Sequence, residues 1–228
     1  MNQITIGITE RGDAGLDLSW REAVPGCDGV ILITKHLSPR FIQEAAKVNC
    51  IVHATITGHG GTIIEPNVMP FSESKEMFRQ LVTTLGVERV VLRIDPIIPT
   101  IEGVQKAMMV YTELSGKTRI RISFMDNYPH VKRRWTGAGL PPLKYSFHAP
   151  LSQRIEIAEM FKGAEICGEP NMACSGCVSQ KDLEVLGIKS QYHFLGSQRP
   201  ECKCLAVKKE LLQHRGQCPS GCLYCYWK

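Results

Sequence analysis

The 228-residue sequence predicts an α/β fold: a partial (β/α) TIM-like barrel followed by a cysteine-rich C-terminal segment. Short apolar runs alternate with helix-like segments every 30–40 residues or so, as parallel strands with crossover helices require. A complete eight-unit barrel needs roughly 250 residues, so a partial barrel or an open sheet is expected. Because the cysteines crowd toward the end of the chain, we predict a barrel domain over 1–165 and a cysteine-rich segment over 166–228, packed on the barrel mouth.

The first half of the barrel domain contains three predicted strands. Residues 3–8 alternate polar and apolar side chains, whereas 29–34 and 50–56 are continuous apolar runs, typical of strands covered on both faces. Ser38 and Pro39 predict the start of a helix that reaches about residue 48, since Ser caps helices and Pro fits their first turn.

The second half continues the alternation of helices and strands. In chain order, we expect a helix over 72–85, a strand over 89–94, a helix over 101–114, a strand over 119–124, a helix over 152–161, a short strand over 165–167 and a helix near 180–186. Residues 131–150 are basic and then rich in Gly and Pro, which predicts a covering loop.

Composition limits the location and the partners of the protein. Lys plus Arg exceed Asp plus Glu by 27 − 22, a net charge of +5, which fits an anionic partner without demanding nucleic acid. The N-terminal stretch lacks the pattern of a secretory signal, and no apolar run approaches the ~18 residues of a membrane span. Ten cysteines in a chain of this length favour metal or cluster ligation over disulfides, and hence a reducing cytoplasm without membrane partners.

The last stretch of the sequence contains a cysteine motif with a defined spacing. Cys218, Cys222 and Cys225 form C-x3-C-x2-C, with Tyr224 directly before the third cysteine. Three thiolates on a loop of this kind can hold three irons of a 4Fe–4S cluster and leave the fourth iron open to a ligand.

A second group of cysteines lies just before this motif. Its spacing is C-x6-C-x2-C followed by C-x-C, and its members are Cys167, Cys174, Cys177, Cys202 and Cys204. Four thiolates can hold either a structural zinc ion or a second Fe–S cluster, and spacing alone does not decide between them. Cys27 and Cys50 are expected to be core residues.

Polar residues follow several predicted strands, where ligands bind in α/β folds. They are Arg11, Asp13, Thr34, Lys35, His36, Thr57, His59, Glu65, Asn67, Arg93, Asp95, Asp126 and Asn127. Arg93 and Asp95 point to the same face of a strand, so they form a buried pair or grip a ligand carboxylate. A basic run with a neighbouring aromatic follows, Lys132-Arg133-Arg134-Trp135. Its cations could bind phosphates while the Trp ring stacks on a base, or the run could be a solvated loop.

The tail resembles the signature of the radical S-adenosylmethionine superfamily, matched by Cys218, Cys222, Tyr224 and Cys225. The resemblance implies a 4Fe–4S cluster whose open iron chelates S-adenosylmethionine and cleaves it reductively to a 5′-deoxyadenosyl radical. It also implies that Tyr224 packs on the adenine. The motif normally follows the first barrel strand, so here we expect residues 216–227 to fold back onto the ends of the strands that finish at Thr57 and Asp95.

Several stretches together resemble a bacterial family of unknown function, similar to spore photoproduct lyase-like proteins and ending in a GCLYCY-type tail. The matching stretches are Thr34-Lys35, Ile64-Glu65-Pro66-Asn67, Arg93-Ile94-Asp95-Pro96-Ile97, Ser123-Phe124-Met125-Asp126-Asn127-Tyr128 and Gly221-Cys222-Leu223-Tyr224-Cys225-Tyr226. This resemblance implies that Cys167, Cys177, Cys202 and Cys204 form the second site, which holds a second 4Fe–4S cluster or else zinc, and leaves Cys174 over. Residues 206–214 depart from the family pattern.

These observations predict a radical S-adenosylmethionine enzyme acting on a nucleic-acid base or nucleotide, with electrons from a reductase, flavodoxin or ferredoxin. Glu65, Asn67, Arg93, Asp95 and Tyr224 are the expected cofactor-binding residues, and residues 132–135 the expected substrate contacts. No catalytic side chain is assigned. The alternative is a non-catalytic zinc- or Fe–S-binding module that binds nucleic acid or relays electrons.

Overall fold

The computed structural model describes residues 4–116, 118–189, 202–212 and 218–227. Its strands are β1 (Thr5–Ile8), β2 (Gly29–Thr34), β3 (Cys50–Thr55), β4 (Val90–Ile97), β5 (Arg119–Phe124), β6 (Glu165–Ile166) and β7 (Val207–Glu210). All neighbouring strands pair in parallel, in the order β6-β5-β4-β3-β2-β1-β7. The sheet curls into a half-barrel. The predicted α/β class with parallel strands is therefore confirmed.

The helices lie mainly in the connections between strands. They are α1 (Trp20–Ala23), α2 (Pro39–Ala45), α3 (Phe71–Leu85), α4 (Ile101–Leu114), α5 (Pro129–Gly137), α6 (Leu151–Glu159) and α7 (Gln180–Val185). The predicted cap is present at α2, where the Ser38 hydroxyl accepts a hydrogen bond from the Phe41 amide. Most of these helices begin within about two residues of the positions expected from the sequence.

Three elements differ from the expectations. Helix α5 replaces the first part of the loop predicted over 131–150, because Val131 and Trp135, four residues apart, bury one helical face. Helix α1 and strand β7 were not expected at all. Strand β7 extends the sheet by pairing with β1, so residues of the cysteine-rich segment form one of its edges. Residue 3 of the first predicted strand lies outside the described residues.

The two faces of the sheet are covered differently. One face packs on α2, α3, α4 and α6 in the largest apolar core, which includes Leu32, Phe78 and Leu92. The opposite face, which we call the inner face, carries Ile6, Ile31, Ile51 and Val91. It is covered by the stretch from Cys177 to α7 and by residues 202–206. The alternation of side chains along each strand thus builds two separate cores.

All the strands end at one edge of the sheet because they are parallel, and we call it the carboxyl edge. A third apolar cluster lies at this edge and joins Ile64, Met125 and Trp135 to Cys222 and Tyr224. Among the described helices, none is long and apolar enough to cross a membrane.

Candidate metal centre

The cysteine tail lies against the loop that follows β3. The Asn67 side-chain amide donates to the Pro219 carbonyl at 2.7 Å, and the Leu223 amide donates to the Ile64 carbonyl at 3.0 Å. Gly221 has φ +65, and a Cβ there would meet the Pro66 ring at 3.3 Å, so glycine suits both the turn and the close approach. The tail thus contacts the loop that follows β3, while residues 216 and 217 of the segment expected to fold back lie outside the described residues.

Glu65 connects the tail to the ends of β2 and β3. Its buried carboxylate accepts hydrogen bonds from the Thr57 hydroxyl at 2.8 Å, from the Lys35 ammonium at 3.0 Å and from the Tyr224 hydroxyl. The Lys35 ammonium also lies 5.3 Å from the centre of the Tyr224 ring. A buried carboxylate needs such partners, because a lone charge away from water is strongly unfavourable. Glu65 and Tyr224 therefore fix the tail in place in this structure.

The three tail thiols differ in exposure: Cys218 is exposed, Cys225 partly buried and Cys222 buried. Burial raises the pKa of Cys222 to about 12, and the neighbouring Glu65, Cys225 and Cys218 act in the same direction while Lys35 opposes them. Burial likewise raises the pKa of Cys225, with Cys218 adding to the rise. The three thiols thus lie close enough to influence one another, and a bound cation would be needed to deprotonate the buried ones.

Two polar contacts lie on the exposed side of the tail. The Cys218 thiol donates to the Ser220 hydroxyl at 3.2 Å, and that hydroxyl lies 2.8 Å from Nε2 of His36. Gly15 allows this arrangement, because a Cβ there would collide with the His36 carbonyl. The sequence had identified Lys35 and His36 as candidate ligand-binding residues after a predicted strand. It contained no signal that Ser220 would contact His36.

Arg93 and Asp95 form an ion pair at the end of β4, as one of the two sequence hypotheses had it. Asp95 also accepts a hydrogen bond from Ser123. Burial disfavours the charge of Arg93, but Asp95 together with Cys177, Cys167 and Tyr226 outweighs this and raises the pKa of its guanidinium. The charge of Arg93 is thus favoured by residues of both the tail and the second cysteine group.

The basic stretch after β5 is partly enclosed. Trp135 is 4% exposed and its indole nitrogen donates to the Pro141 carbonyl at 2.8 Å, so its ring is not available to stack on a base in this structure. Arg134 donates to the carbonyl of Cys225. Lys132 and Arg133 remain exposed. Helical spacing turns the aromatic inward, which explains why the expectation for Trp135 differs from the structure.

Four of the five cysteines of the second group lie together. The Sγ atoms of Cys167 and Cys177 are 3.4 Å apart, and those of Cys202 and Cys204 are 3.3 Å apart. Cys177 and Cys204 belong to the same cluster of buried side chains on the inner face, which brings the two pairs together. These are the four that the resemblance selected. Cys174 stands apart, since its sulfur bonds instead to the backbone of Glu169 at 3.2 and 3.1 Å.

Neither group is preformed as a metal site. Within the described ranges, no three His, Cys, Asp or Glu side chains are placed so that they could hold a metal ion as they stand. The sulfurs of the second group form two pairs of thiol contacts instead. Thiols that share protons can approach each other in this way, whereas a cation would draw the same sulfurs around one point.

A buried network of charges supports the second group from β5. Arg121, fully buried, forms ion pairs with Glu165 and Asp182 and donates to the Cys177 carbonyl at 3.2 Å. The His53 Nε2 lies 3.3 Å from the same guanidinium. Burial lowers the pKa of His53 to about 3, with Arg121 adding to the fall, so this imidazole is neutral and accepts a hydrogen bond.

These features define a class of protein: a cysteine-rich α/β half-barrel with two thiol groups, one at the carboxyl edge and one on the inner face. Residues 22–227 match the family described as a domain of unknown function, DUF1848, and the chain belongs to that family. The resemblance to a family of unknown function is thereby confirmed. No curated protein and no solved structure matches the chain.

Proposed function

We propose that the chain is a radical S-adenosylmethionine enzyme, built on a partial TIM-like barrel, whose 4Fe–4S cluster is held by Cys218, Cys222 and Cys225. The observation that carries the proposal is the position of the motif. The tail lies at the carboxyl edge of a parallel sheet, where α/β enzymes bind their ligands. When bound, the cluster supplies the electron that cleaves S-adenosylmethionine to a 5′-deoxyadenosyl radical.

The donor set suits such a cluster. Thiolates are the usual ligands of Fe–S clusters, and three of them leave one iron open. Lys35 and Arg134 favour the thiolate forms of Cys222 and Cys225, which fits a negatively charged cluster. Burial of Cys222 limits the access of water.

The other residues have supporting roles in this proposal. Glu65 and Tyr224 fix the tail through their hydrogen bond, and Asn67 holds the loop between the first two cysteines. Arg93 and Asp95, paired with each other, line the side of the site that faces the second cysteine group. The contacts that we propose between S-adenosylmethionine and Glu65, Asn67, Arg93, Asp95 and Tyr224 require these side chains to keep the positions they have in this structure.

We propose a nucleic-acid base or nucleotide as the substrate. Lys132 and Arg133 are exposed on the same helix whose Arg134 contacts the tail, so two cations are available to phosphates near the site. Tyr226 and Trp227 are exposed on the tail itself, with ring centroids 5.0 Å apart. They offer the stacking surface that the enclosed Trp135 does not.

Anaerobic reconstitution with iron and sulfide tests the chemistry. The reconstituted protein should turn brown and, with dithionite and S-adenosylmethionine, release 5′-deoxyadenosine. Cys222→Ala should abolish the release, whereas Cys174→Ala should retain it, because Cys174 stands apart from the other cysteines of the second group. Added nucleotides should raise the yield if they are substrates. A protein that never cleaves S-adenosylmethionine, or a Cys222→Ala variant that still does, contradicts the proposal.

A second candidate function is electron relay by a non-catalytic Fe–S protein. Arg93 interacts with thiols of the second group and with Tyr226 of the tail, so the two cysteine groups are near enough to act on one residue. Adding S-adenosylmethionine to the reduced protein separates the two functions. A relay would leave the paramagnetic spectrum of the cluster unchanged, whereas the proposed enzyme would alter it.

A further inference from the structure

We infer that Cys167, Cys177, Cys202 and Cys204 are the ligands of one zinc ion, which on binding draws their sulfurs into a closed tetrahedral site and cross-links the two edge strands of the sheet. This inference does not rest on the chemistry proposed for the tail. It rests on where the four sulfurs lie, on how the backbone is shaped around them and on the charges that face them.

The four cysteines come from opposite edges of the half-barrel. Cys167 directly follows β6, and Cys202 and Cys204 precede β7, while β6 and β7 are the first and last strands of the sheet. Cys177 lies on the inner face in contact with Cys167, and the backbone of the preceding Gly176 meets that of Cys204. A metal held by all four would therefore join the two edges across the inner face.

Both edge strands are short. β6 contains two residues and β7 four, and each pairs with a single neighbouring strand, while Ile166 of β6 also forms a bridge with Cys174. Short edge strands contribute little hydrogen-bond stability, so a cross-link between them stabilises the curled sheet where it is weakest.

The backbone around Cys177 is shaped for a close approach. A Cβ on Gly176 would lie 2.6 Å from the Cα of Cys204, so only glycine allows the two segments to meet. The Leu205 amide then donates to the Val178 carbonyl at 2.9 Å and fixes their register. The Cys-x-Gly-Cys order of residues 174–177 is the sequence signal for this approach, although Cys174 is not among the four sulfurs.

The sulfur separations favour zinc over a 4Fe–4S cluster. In a tetrahedral site with Zn–S near 2.3 Å, neighbouring sulfurs lie about 3.8 Å apart. The observed 3.4 and 3.3 Å are within about 0.5 Å of that separation. A cubane cluster binds each thiolate to a different iron and needs them further apart. Four protein ligands also leave no open position, as in structural zinc sites.

Charges of the right sign surround the four sulfurs. Four thiolates and one zinc ion carry a net charge of about −2. The Arg121 guanidinium donates to the Cys177 carbonyl at 3.2 Å, and the Lys208 ammonium lies 3.8 Å from the Cys202 sulfur. Lys208 is also paired with Glu10, two residues after the end of β1. Buried cations of this kind offset the charge of a thiolate-bound ion.

Metal analysis of the full-length chain tests the inference. In a Cys218→Ala, Cys222→Ala, Cys225→Ala background, the protein should retain about one zinc per chain and no acid-labile sulfide. Cys177→Ser should lower zinc to less than about a tenth of that, and Cys174→Ser should leave it unchanged. If Cys177→Ser does not fold, Cys202→Ser at the more exposed end of the group takes its place.

Three outcomes would overturn the inference. The protein could contain iron and sulfide that are lost in Cys177→Ser, it could contain no metal at all, or Cys177→Ser could retain as much zinc as Cys174→Ser. Hydrogen exchange then tests the cross-link. Chelation of the metal should speed amide exchange in β6 and β7 and leave β3 protected. Zinc removal that leaves β6 and β7 equally protected would rule out a cross-link between the edges. None of these results depends on whether the tail cleaves S-adenosylmethionine.

Discussion

The two cysteine groups are built in different ways. The tail takes its three thiols from one short stretch of chain and holds that stretch with contacts to the loop after β3. The inner group takes its four thiols from segments that meet only when the sheet has formed. One tail thiol is exposed, whereas none of the inner four is.

This difference separates the roles that the groups can have. An incomplete set of ligands at an accessible edge leaves a coordination position for a reacting molecule. A complete set of four ligands leaves no such position, as in structural zinc sites. In the two assignments that we propose, chemistry therefore belongs to the tail and stability to the inner group.

The largest expected change in the free energy of unfolding comes from the buried ion pairs of Arg121 beside the inner group. Arg121→Met removes the guanidinium that pairs with Glu165 and Asp182 and leaves their charges poorly compensated. Breaking a buried ion pair in this way is expected to lower the free energy of unfolding by about 3–5 kcal/mol. Denaturant unfolding, followed by circular dichroism, measures the change.

Arg79→Met is the control for that substitution. Arg79 forms an exposed pair with Glu76 one turn away on α3, and its loss should change the free energy of unfolding by less than about 0.5 kcal/mol. Equal effects of the two substitutions would mean that the inner network does not stabilise the fold more than a surface pair does.

The sequence predicted the central strands well because their apolar runs are long and uninterrupted. It missed β7, whose residues Val207-Lys208-Lys209-Glu210 are mostly charged and become a strand only by pairing with β1, about 200 residues away in sequence. The hydrogen bond from Tyr224 to Glu65 spans a similar distance and has no local signal. Motif spacing found the two thiol groups, but their partners depend on long-range packing.

The second-largest expected effect is a dependence of the free energy of unfolding on pH, caused by the buried His53. The pKa of His53 is about 3 in the folded protein and about 6.5 when unfolded, because burial disfavours the imidazolium. Its contribution to stability is complete above pH 6.5 and is lost as the pH falls toward 3, by up to about 1.4 kcal/mol per pH unit. Unfolding at pH 7, 6 and 5 should show this slope.

His53→Gln provides the comparison for the pH experiment. Glutamine keeps an acceptor near Arg121 but binds no proton, so the variant should lose stability less steeply between pH 6.5 and 5. Parallel curves for the two proteins would show that His53 is not the group responsible.

The smallest expected change in stability is a local one at the tail. Tyr224→Phe removes one donor to Glu65, which keeps Thr57 and Lys35, so the loss should be about 1–2 kcal/mol and should remain local. Amide exchange at Leu223, bonded to Ile64, should quicken while exchange in β7 is unchanged. Tyr111→Phe is the control: it loses the hydrogen bond from the Tyr111 hydroxyl to the Lys162 carbonyl and should leave amide exchange at Leu223 and in β7 unchanged. Faster exchange at β7 in the Tyr224 variant would show that the tail and the inner group form one cooperative unit rather than two.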